Sequence, residues 1–249
     1  MIINRTFVCG DIHGNLNALK EVLEKSNFNN KQDKIIFLGD YCDRGLQTAE
    51  LIQFLIELKN ENSNHVFIKG NHDEWLKDYL VTGERNQVWV MQGGQETIDS
   101  YLQNPKYLID KEHEKFFLDL KLYYIDTQNR VFVHGGFTSH RGIGYEPYES
   151  NYWWDRTLWE LAYATRKTPT PKKFLYYKEI YIGHTSTLNW TIDEIINPIG
   201  EVIKGDFPCT TPMNCHNIWN IDTGAGYKKG KLTLLNIDTK EYYQSNEIK

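Results

Sequence analysis

Five polar islands, each set directly after a short apolar run, constrain what this chain can fold into more than any other feature. They are Gly10-Asp11-Ile12-His13-Gly14, Gly39-Asp40-Tyr41-Cys42-Asp43-Arg44-Gly45, Gly70-Asn71-His72-Asp73, His134-Gly135-Gly136 and Gly183-His184-Thr185. The runs before them are Thr6 to Cys9, Lys34 to Leu38, His65 to Ile68, Arg130 to Val133 and Tyr181 to Ile182, and all read as buried β-strands. Side chains at the ends of neighbouring strands can converge on one point. Glycines beside them permit tight turns and close approach of backbone to a ligand. A point ringed by Asp, His and Asn suits two divalent cations with oxygen and nitrogen ligands.

Each island alone has an ordinary explanation. Asp11 and His13, at i and i+2, point to one side of an extended backbone, but a polar turn looks the same. Asn71-His72-Asp73 would also serve as a helix N-cap, and His134-Gly135-Gly136 as a glycine turn. Asp40 with Asp43 and Arg44 is harder to dismiss, because two carboxylates and a guanidinium are an odd choice for a plain turn. Five such islands in order leave the ordinary explanation little room.

Together they closely resemble the phosphoprotein-phosphatase branch of the metallophosphoesterases, whose signature runs GDxHG, GDxxDRG, GNH[ED], a later His-Gly-Gly and a later single His. The resemblance spans Gly10 to about Leu235. Within the branch the chain is most similar to the small bacterial and phage lambda-type serine/threonine phosphatases. Trp154-Asp155-Arg156, Ile182 to Thr185, Asn220 to Ala225, and Trp89 with Gly93-Gly94, Thr97 and Ser100-Tyr101 carry that part of the match. One position departs: Asp73 stands where most protein phosphatases of the branch have Glu, and Asp is common there in the diadenosine tetraphosphatase relatives. The resemblance implies an α/β fold, a four-layer α/β/β/α sandwich with two mixed sheets.

The chain's own pattern agrees. Apolar residues at helical spacing mark Asn15 to Lys25 and Thr48 to Lys59, with shorter helices expected at Glu74 to Leu80, Glu96 to Leu102 and Lys111 to Leu120. Strands dominate the second half: Leu122 to Asp126, Arg130 to His134, Glu179 to Gly183, Ile218 to Asp222 and Lys231 to Ile237. No linker or repeat divides the 249 residues, so one catalytic domain is expected. Residues 139–178 stand apart as an insertion rich in Tyr and Trp, with basic residues from Arg166 to Lys178 at its end. A helix is expected at Tyr152 to Ala164, in a segment that either shapes substrate access or packs on the sandwich by its aromatics.

Charge and cysteine usage narrow the partners. A net charge of −5 lacks the basic footprint of a nucleic-acid binder. No apolar run approaches the ~18 residues that span a bilayer. Met1 leads straight into a strand with no signal-peptide pattern, so a cytoplasmic monomer is expected. The four cysteines fit neither a disulfide framework nor a zinc motif. Cys42, inside the second island, is expected to be a small packed side chain rather than a reactive thiolate.

The resemblance then implies roles. Asp11, His13 and Asp40 would hold one metal, and Asp40, Asn71, His134 and His184 the other, with Asp40 bridging. Mn²⁺ is taken first, with Fe, Zn²⁺ or Co²⁺ also suited to mixed oxygen and nitrogen ligation. Ions ~3.5–4 Å apart would share a water and convert it to a hydroxide that attacks phosphorus in line. His72 would act as general acid with Asp43 fixing its tautomer. Arg44 and Arg156 would grip the phosphate oxygens, Arg156 on the Trp-Asp-Arg match alone. The expected substrate is a phosphoserine or phosphothreonine protein, or a small phosphomonoester. The alternative is a dinucleoside polyphosphate such as diadenosine tetraphosphate, which needs further cations and a base pocket.

Overall fold

Successive side chains of a strand face opposite ways, and in this chain both faces of the central strands are apolar. The computed structural model describes residues 4–109, 111–196 and 202–249. Its strands are β1 (Thr6–Cys9), β2 (Lys34–Phe37), β3 (Val66–Phe67), β4 (Tyr123–Ile125), β5 (Arg130–Val133), β6 (Glu179–Ile182), β7 (Thr191–Ile196), β8 (Val202–Pro208), β9 (Met213–Cys215), β10 (Ile218–Asn220), β11 (Thr233–Asn236) and β12 (Tyr242–Gln244). Helices α1 (Leu16–Lys25), α2 (Thr48–Glu61), α3 (Asn71–Thr82), α4 (Gln95–Gln103), α5 (Lys111–Leu118), α6 (Asn151–Trp154) and α7 (Thr157–Ala164) run between them, beside shorter helical turns.

Two five-stranded mixed sheets result. The first has the order β12-β11-β1-β2-β3, with β1, β2 and β3 parallel and β11 antiparallel to both its neighbours. The second has the order β4-β5-β6-β10-β9, with β5, β6 and β10 parallel and the two outer strands antiparallel. Strand alternation decides the layering. Val8, Ile36, Leu38, Phe132, Tyr181 and Ile221 fill the space between the sheets, where the Phe132 and Tyr181 rings stack with centroids 4.9 Å apart. Their chain neighbours Phe7, Cys9, Ile35 and Phe37 turn the other way, into one cluster with Leu19, Val22, Leu51 and Leu55 of α1 and α2. Val131, Val133, Ile180 and Ile182 likewise cluster with Leu158, Trp159 and Ala162 of α7. Three apolar interlayers separate four layers, the sandwich expected from the motifs.

Two elements differ from the expectation, and the β7–β8 hairpin and the edge strands β9 and β12 went unread. The helix expected at Tyr152 to Ala164 is broken. Asp155 is extended (φ −68°, ψ 133°), and its carboxylate accepts the N–H of Thr157 at 3.1 Å and of Leu158 at 3.0 Å. This caps α7 and takes Arg156 out of the helical run. Helix α3 begins at Asn71, three residues before the expected start, because Gly70 is extended and the third island itself forms the first turn. The β7–β8 hairpin has no counterpart among the expected strands. Its strands pair with each other and not with either sheet, so it lacks the buried run that betrays a central strand. None of the described helices is long and apolar enough to cross a membrane.

His65 ties the end of α2 to β2. Its Nδ1 accepts the Ile35 N–H at 3.0 Å while its Nε2–H donates to Asn30 Oδ1 at 2.6 Å, a pairing open only to the neutral ring. Burial, aided by the Lys34 charge, pulls its pKa from 6.5 to about 4. The unfolded chain therefore takes up this proton first. The contribution is complete above pH ~6.5 and is lost as pH falls toward ~4, at about 1.4 kcal/mol per unit. Urea unfolding at pH 7.5 and 5.5 should show wild type losing more stability than His65→Gln over that interval. Equal losses would exclude a neutral buried His65.

Candidate metal centre

The five islands meet at the ends of β1, β2, β3, β5 and β6, where a chain of hydrogen bonds joins them. The Asp40 carbonyl accepts the N–H groups of Ile12 and His13 at 3.1 and 2.9 Å. Its carboxylate accepts the His72 N–H at 3.0 Å. The Asp73 carboxylate returns from the third island to accept the N–H groups of Asp40, Tyr41 and Gly70 at 2.8, 2.9 and 2.7 Å. His134 Nδ1–H donates to the Leu38 carbonyl at 2.9 Å, Gly183 N–H to the His134 carbonyl at 2.9 Å, and His184 N–H to Asp11 at 3.0 Å. The glycines open the paths these groups need. A Cβ on Gly70 would lie 2.1 Å from Asp40 Oδ1, and one on Gly183 2.2 Å from Asp11 Oδ1.

The backbone is held in a conformation that side chains resist. His13, Asp40, Asp43, Arg44 and His184 have φ of 48°, 51°, 73°, 67° and 65°, a left-handed region that costs such residues on the order of 1–3 kcal/mol each. The interisland hydrogen bonds and the buried sandwich beneath offset that cost.

The donor set fits divalent cations. Asp40 turns one oxygen to each side: Oδ2 lies 3.7 Å from His13 Nε2 and Oδ1 3.4 Å from His134 Nε2. Two groupings share it, His13–Asp40–His72 and Asp40–His134–His184, each with donor atoms within 4.8 Å of one another. His13 donates its Nδ1–H to the Cys42 carbonyl at 2.9 Å, so like His134 it presents Nε2 to the centre, the tautomer control common behind metal ligands. His184 Nε2 is buried and, among the described residues, has no hydrogen-bond partner, an orphan that a cation would satisfy. Asn71 Oδ1 lies 3.2 Å from His134 Nε2. Asp11 is buried beside Gly183 with its carboxylate on the His184 N–H, and it falls in neither grouping.

Electrostatics point the same way. Burial lowers the pKa of His13 and of His184, helped by Arg44 and by His134 respectively; both are neutral with lone pairs to give. Burial would also raise Asp40, but His134 and His72 hold it well below the usual carboxylate range. Burial pushes Asp11 up, together with the Asp222 charge, and lifts Asp222 itself to about 6. Against burial, the charges of Asp40 and Asp11 raise His134 to about 9. Buried carboxylates this dense call for positive charge at their centre.

His72 stands at the cleft with its Nδ1 2.5 Å from Asp43 Oδ2. Asp43, fully buried, also accepts Trp89 Nε1–H at 2.8 Å and Thr97 Oγ1–H at 2.8 Å. Arg44 reaches His13 Nε2 at 2.7 Å and His72 Nε2 at 3.3 Å, and its guanidinium lies over the Tyr227 ring at 4.5 Å. Arg156 donates to the His184 carbonyl at 3.0 Å and to Thr185 Oγ1 at 3.2 Å. All four side chains of the expected phosphate grip and proton path are thus brought together, with Arg44, His72 and Arg156 lining a cleft of about 100 Å³.

Gln92, Trp154, Asp222 and Tyr227 also line this cleft, beside His13, Asp40, Asn71 and His184. Trp154, Asp222, Trp89 and Thr97 were legible as motif residues but without roles; Gln92 and Tyr227 carried no signal. The 139–178 segment packs in part, with Tyr152, Trp153 and Trp159 buried but Tyr145, Tyr148 and Tyr176 exposed, and it contributes Trp154 and Arg156 to the cleft. Two of its lysines are paired elsewhere: Lys167 with Asp193 at 2.6 Å, and Lys178 with Gln128. Cys42 is fully buried with its thiol pushed up by burial and by Asp43, a packed side chain and not a thiolate.

Comparison with known proteins agrees with this geometry. Residues 5–200 match the family model described as calcineurin-like phosphoesterase. The chain is 25% identical, over 92% of its length and 88% of the relative's, to the asymmetrical bis(5'-nucleosyl)-tetraphosphatase PrpE of Bacillus thuringiensis. A 68-residue stretch is 40% identical to a symmetrical bis(5'-nucleosyl)-tetraphosphatase of a Marinomonas species, over 27% of this chain and 24% of that one. Among solved structures the fold is similar to a protein provisionally assigned as a diadenosine tetraphosphatase (TM-score 0.62, 14% identity, 99% of this chain and 95% of that one). It is also similar to a serine/threonine phosphatase of Saccharomyces cerevisiae (TM-score 0.57, 14% identity, 98% and 80%). From its matched length and its converging islands, the chain belongs to the calcineurin-like phosphoesterase family.

Proposed function

We propose that this chain is a metal-dependent phosphohydrolase whose substrates are dinucleoside polyphosphates, cleaved at a phosphoanhydride bond. The observation that carries the hydrolase reading is Asp40, one buried carboxylate shared between His13 and His134 beside an unpartnered His184 Nε2. The donors come from both sheets, so the reading takes the chain as one catalytic unit. Asp11, His13, Asp40, Asn71, His134 and His184 would hold two divalent ions. When bound, such ions activate water and screen phosphate charge.

The remaining work falls to the chain's own side chains. Asp43 receives the Nδ1–H of His72, so a proton carried at Nε2 faces the cleft and can pass to the departing oxygen. Trp89 and Thr97 keep Asp43 in place for that task. Arg44 and Arg156 would hold non-bridging phosphate oxygens through forked hydrogen bonds.

The substrate class reverses the order expected from the motifs. Support comes from the relative matched over 92% of this chain, which is named as a dinucleoside tetraphosphatase. Asp73 adds little by contact, because its carboxylate is spent on three backbone N–H groups. The phosphoserine or phosphothreonine reading is second. It is favoured by two guanidinium groups at one cleft, a grip suited to a terminal dianion.

Chelation should abolish hydrolysis of p-nitrophenyl phosphate and Mn²⁺ should restore it; full activity in a sample shown to be metal-free overturns the reading. Asp40→Asn should lower metal content by elemental analysis and remove activity on every substrate. His72→Asn should keep its metal while kcat on an alkyl phosphate falls about 10²–10⁴-fold, and the fall should shrink for nitrophenyl esters and dinucleoside polyphosphates, whose leaving groups depart without a proton. Loss of metal from His72→Asn would instead make it a ligand, as its place in the His13–Asp40 grouping allows. For substrate class, kcat/KM on diadenosine tetraphosphate should exceed that on a phosphoserine peptide, and the opposite order selects the second reading.

A further inference from the structure

A larger groove opens beside the metal cleft and shares two residues with it. The cleft and the groove both include Arg44 and Tyr227. The groove holds about 410 Å³, against about 100 Å³ for the cleft. Its walls are the Gly45-Leu46-Gln47 turn and the Ala225-Gly226-Tyr227-Lys228 loop.

Its chemistry is selective. Arg44, Lys228 and Lys249 line it, and no aspartate or glutamate is among the lining residues, in a chain whose net charge is −5. It also offers two exposed apolar surfaces, Leu46 (67% exposed) and the Tyr227 ring (46% exposed). Arg44 lies over that ring at 4.5 Å, so a single guanidinium sits at the junction of cleft and groove. A phosphate at the cleft would continue directly into a cationic channel with an aromatic wall.

We infer that this groove seats the part of a dinucleoside polyphosphate that lies beyond the scissile phosphorus, its phosphates on Arg44 and Lys228 and its nucleoside against Leu46 and Tyr227. The inference rests on the dinucleoside polyphosphate reading and adds the site where the second half of that substrate lies. Phosphates in mid-chain need cations beyond the cleft, and a base needs an aromatic or apolar face on which to stack. A monoester with a small leaving group leaves the groove empty and is indifferent to it.

Lys228→Glu and Leu46→Asp change the groove without touching the cleft. Each should lower kcat/KM for diadenosine tetraphosphate about tenfold, chiefly through KM, and leave kcat/KM for p-nitrophenyl phosphate and the bound metal at wild-type values. If wild type cleaves diadenosine tetraphosphate and both variants cleave it equally well, the groove is not its seat, while the substrate reading stands. Equal loss on both substrates would place the effect on Arg44 and overturn the inference as well. A wild type that hydrolyses p-nitrophenyl phosphate but not diadenosine tetraphosphate removes the substrate reading, and the groove assignment falls with it.

Discussion

Asp40 is the constraint on which the rest of the structure depends. Its carbonyl anchors the first island, its N–H is held by Asp73 of the third, and its carboxylate faces His13 on one side and His134 on the other. To do this it adopts a φ of 51° and requires a residue without a Cβ at position 70. A carboxylate so buried is costly unless opposite charge is near. Histidines from both sheets supply some of that charge, and a bound cation would supply the rest.

The two sheets exist, in functional terms, to bring their strand ends to this residue. Phe132 stacked on Tyr181 and the aliphatic side chains around them fix the spacing between the layers. His134 and His184 follow β5 and β6, so any shift of one sheet against the other would move them relative to Asp11 and Asp40. Packing in the interlayer is therefore part of the site, and Leu38 joins the two, with its side chain in the interlayer and its carbonyl on His134 Nδ1–H. Close-packed interiors transmit such shifts instead of absorbing them.

Around the centre, positive and negative groups are arranged in depth. Trp89 and Thr97 hold Asp43, Asp43 holds His72, and His72 faces the cleft. Tyr227 supports Arg44 in the same manner, and the Asp155 cap frees Arg156 from α7. The side chains that would meet a phosphate are each fixed by a partner one step further from it. A rigid polar frame of this kind is set before the substrate arrives.

The sequence by itself determined the layers and which islands meet at the strand ends. Alternating Phe7-Val8-Cys9 and Ile35-Ile36-Phe37 are apolar on both faces, which demands packing on both sides, and the islands name their donors by residue type. It could not reveal that Asp155 ends one helix and starts another, because a cap is a side-chain hydrogen bond and helical spacing continues through it. Nor could it show that β7 and β8 pair only with each other, or that Asp73 serves backbone amides. Gln92 and Tyr227 had no local signature, since their place at the cleft comes from loops that meet only after the sheets have packed. Tertiary structure alone decided which donors share Asp40, which way each imidazole presents its lone pair, and that a cationic groove continues from Arg44. Those properties depend on distances between segments far apart in the chain, and local patterning carries no record of them.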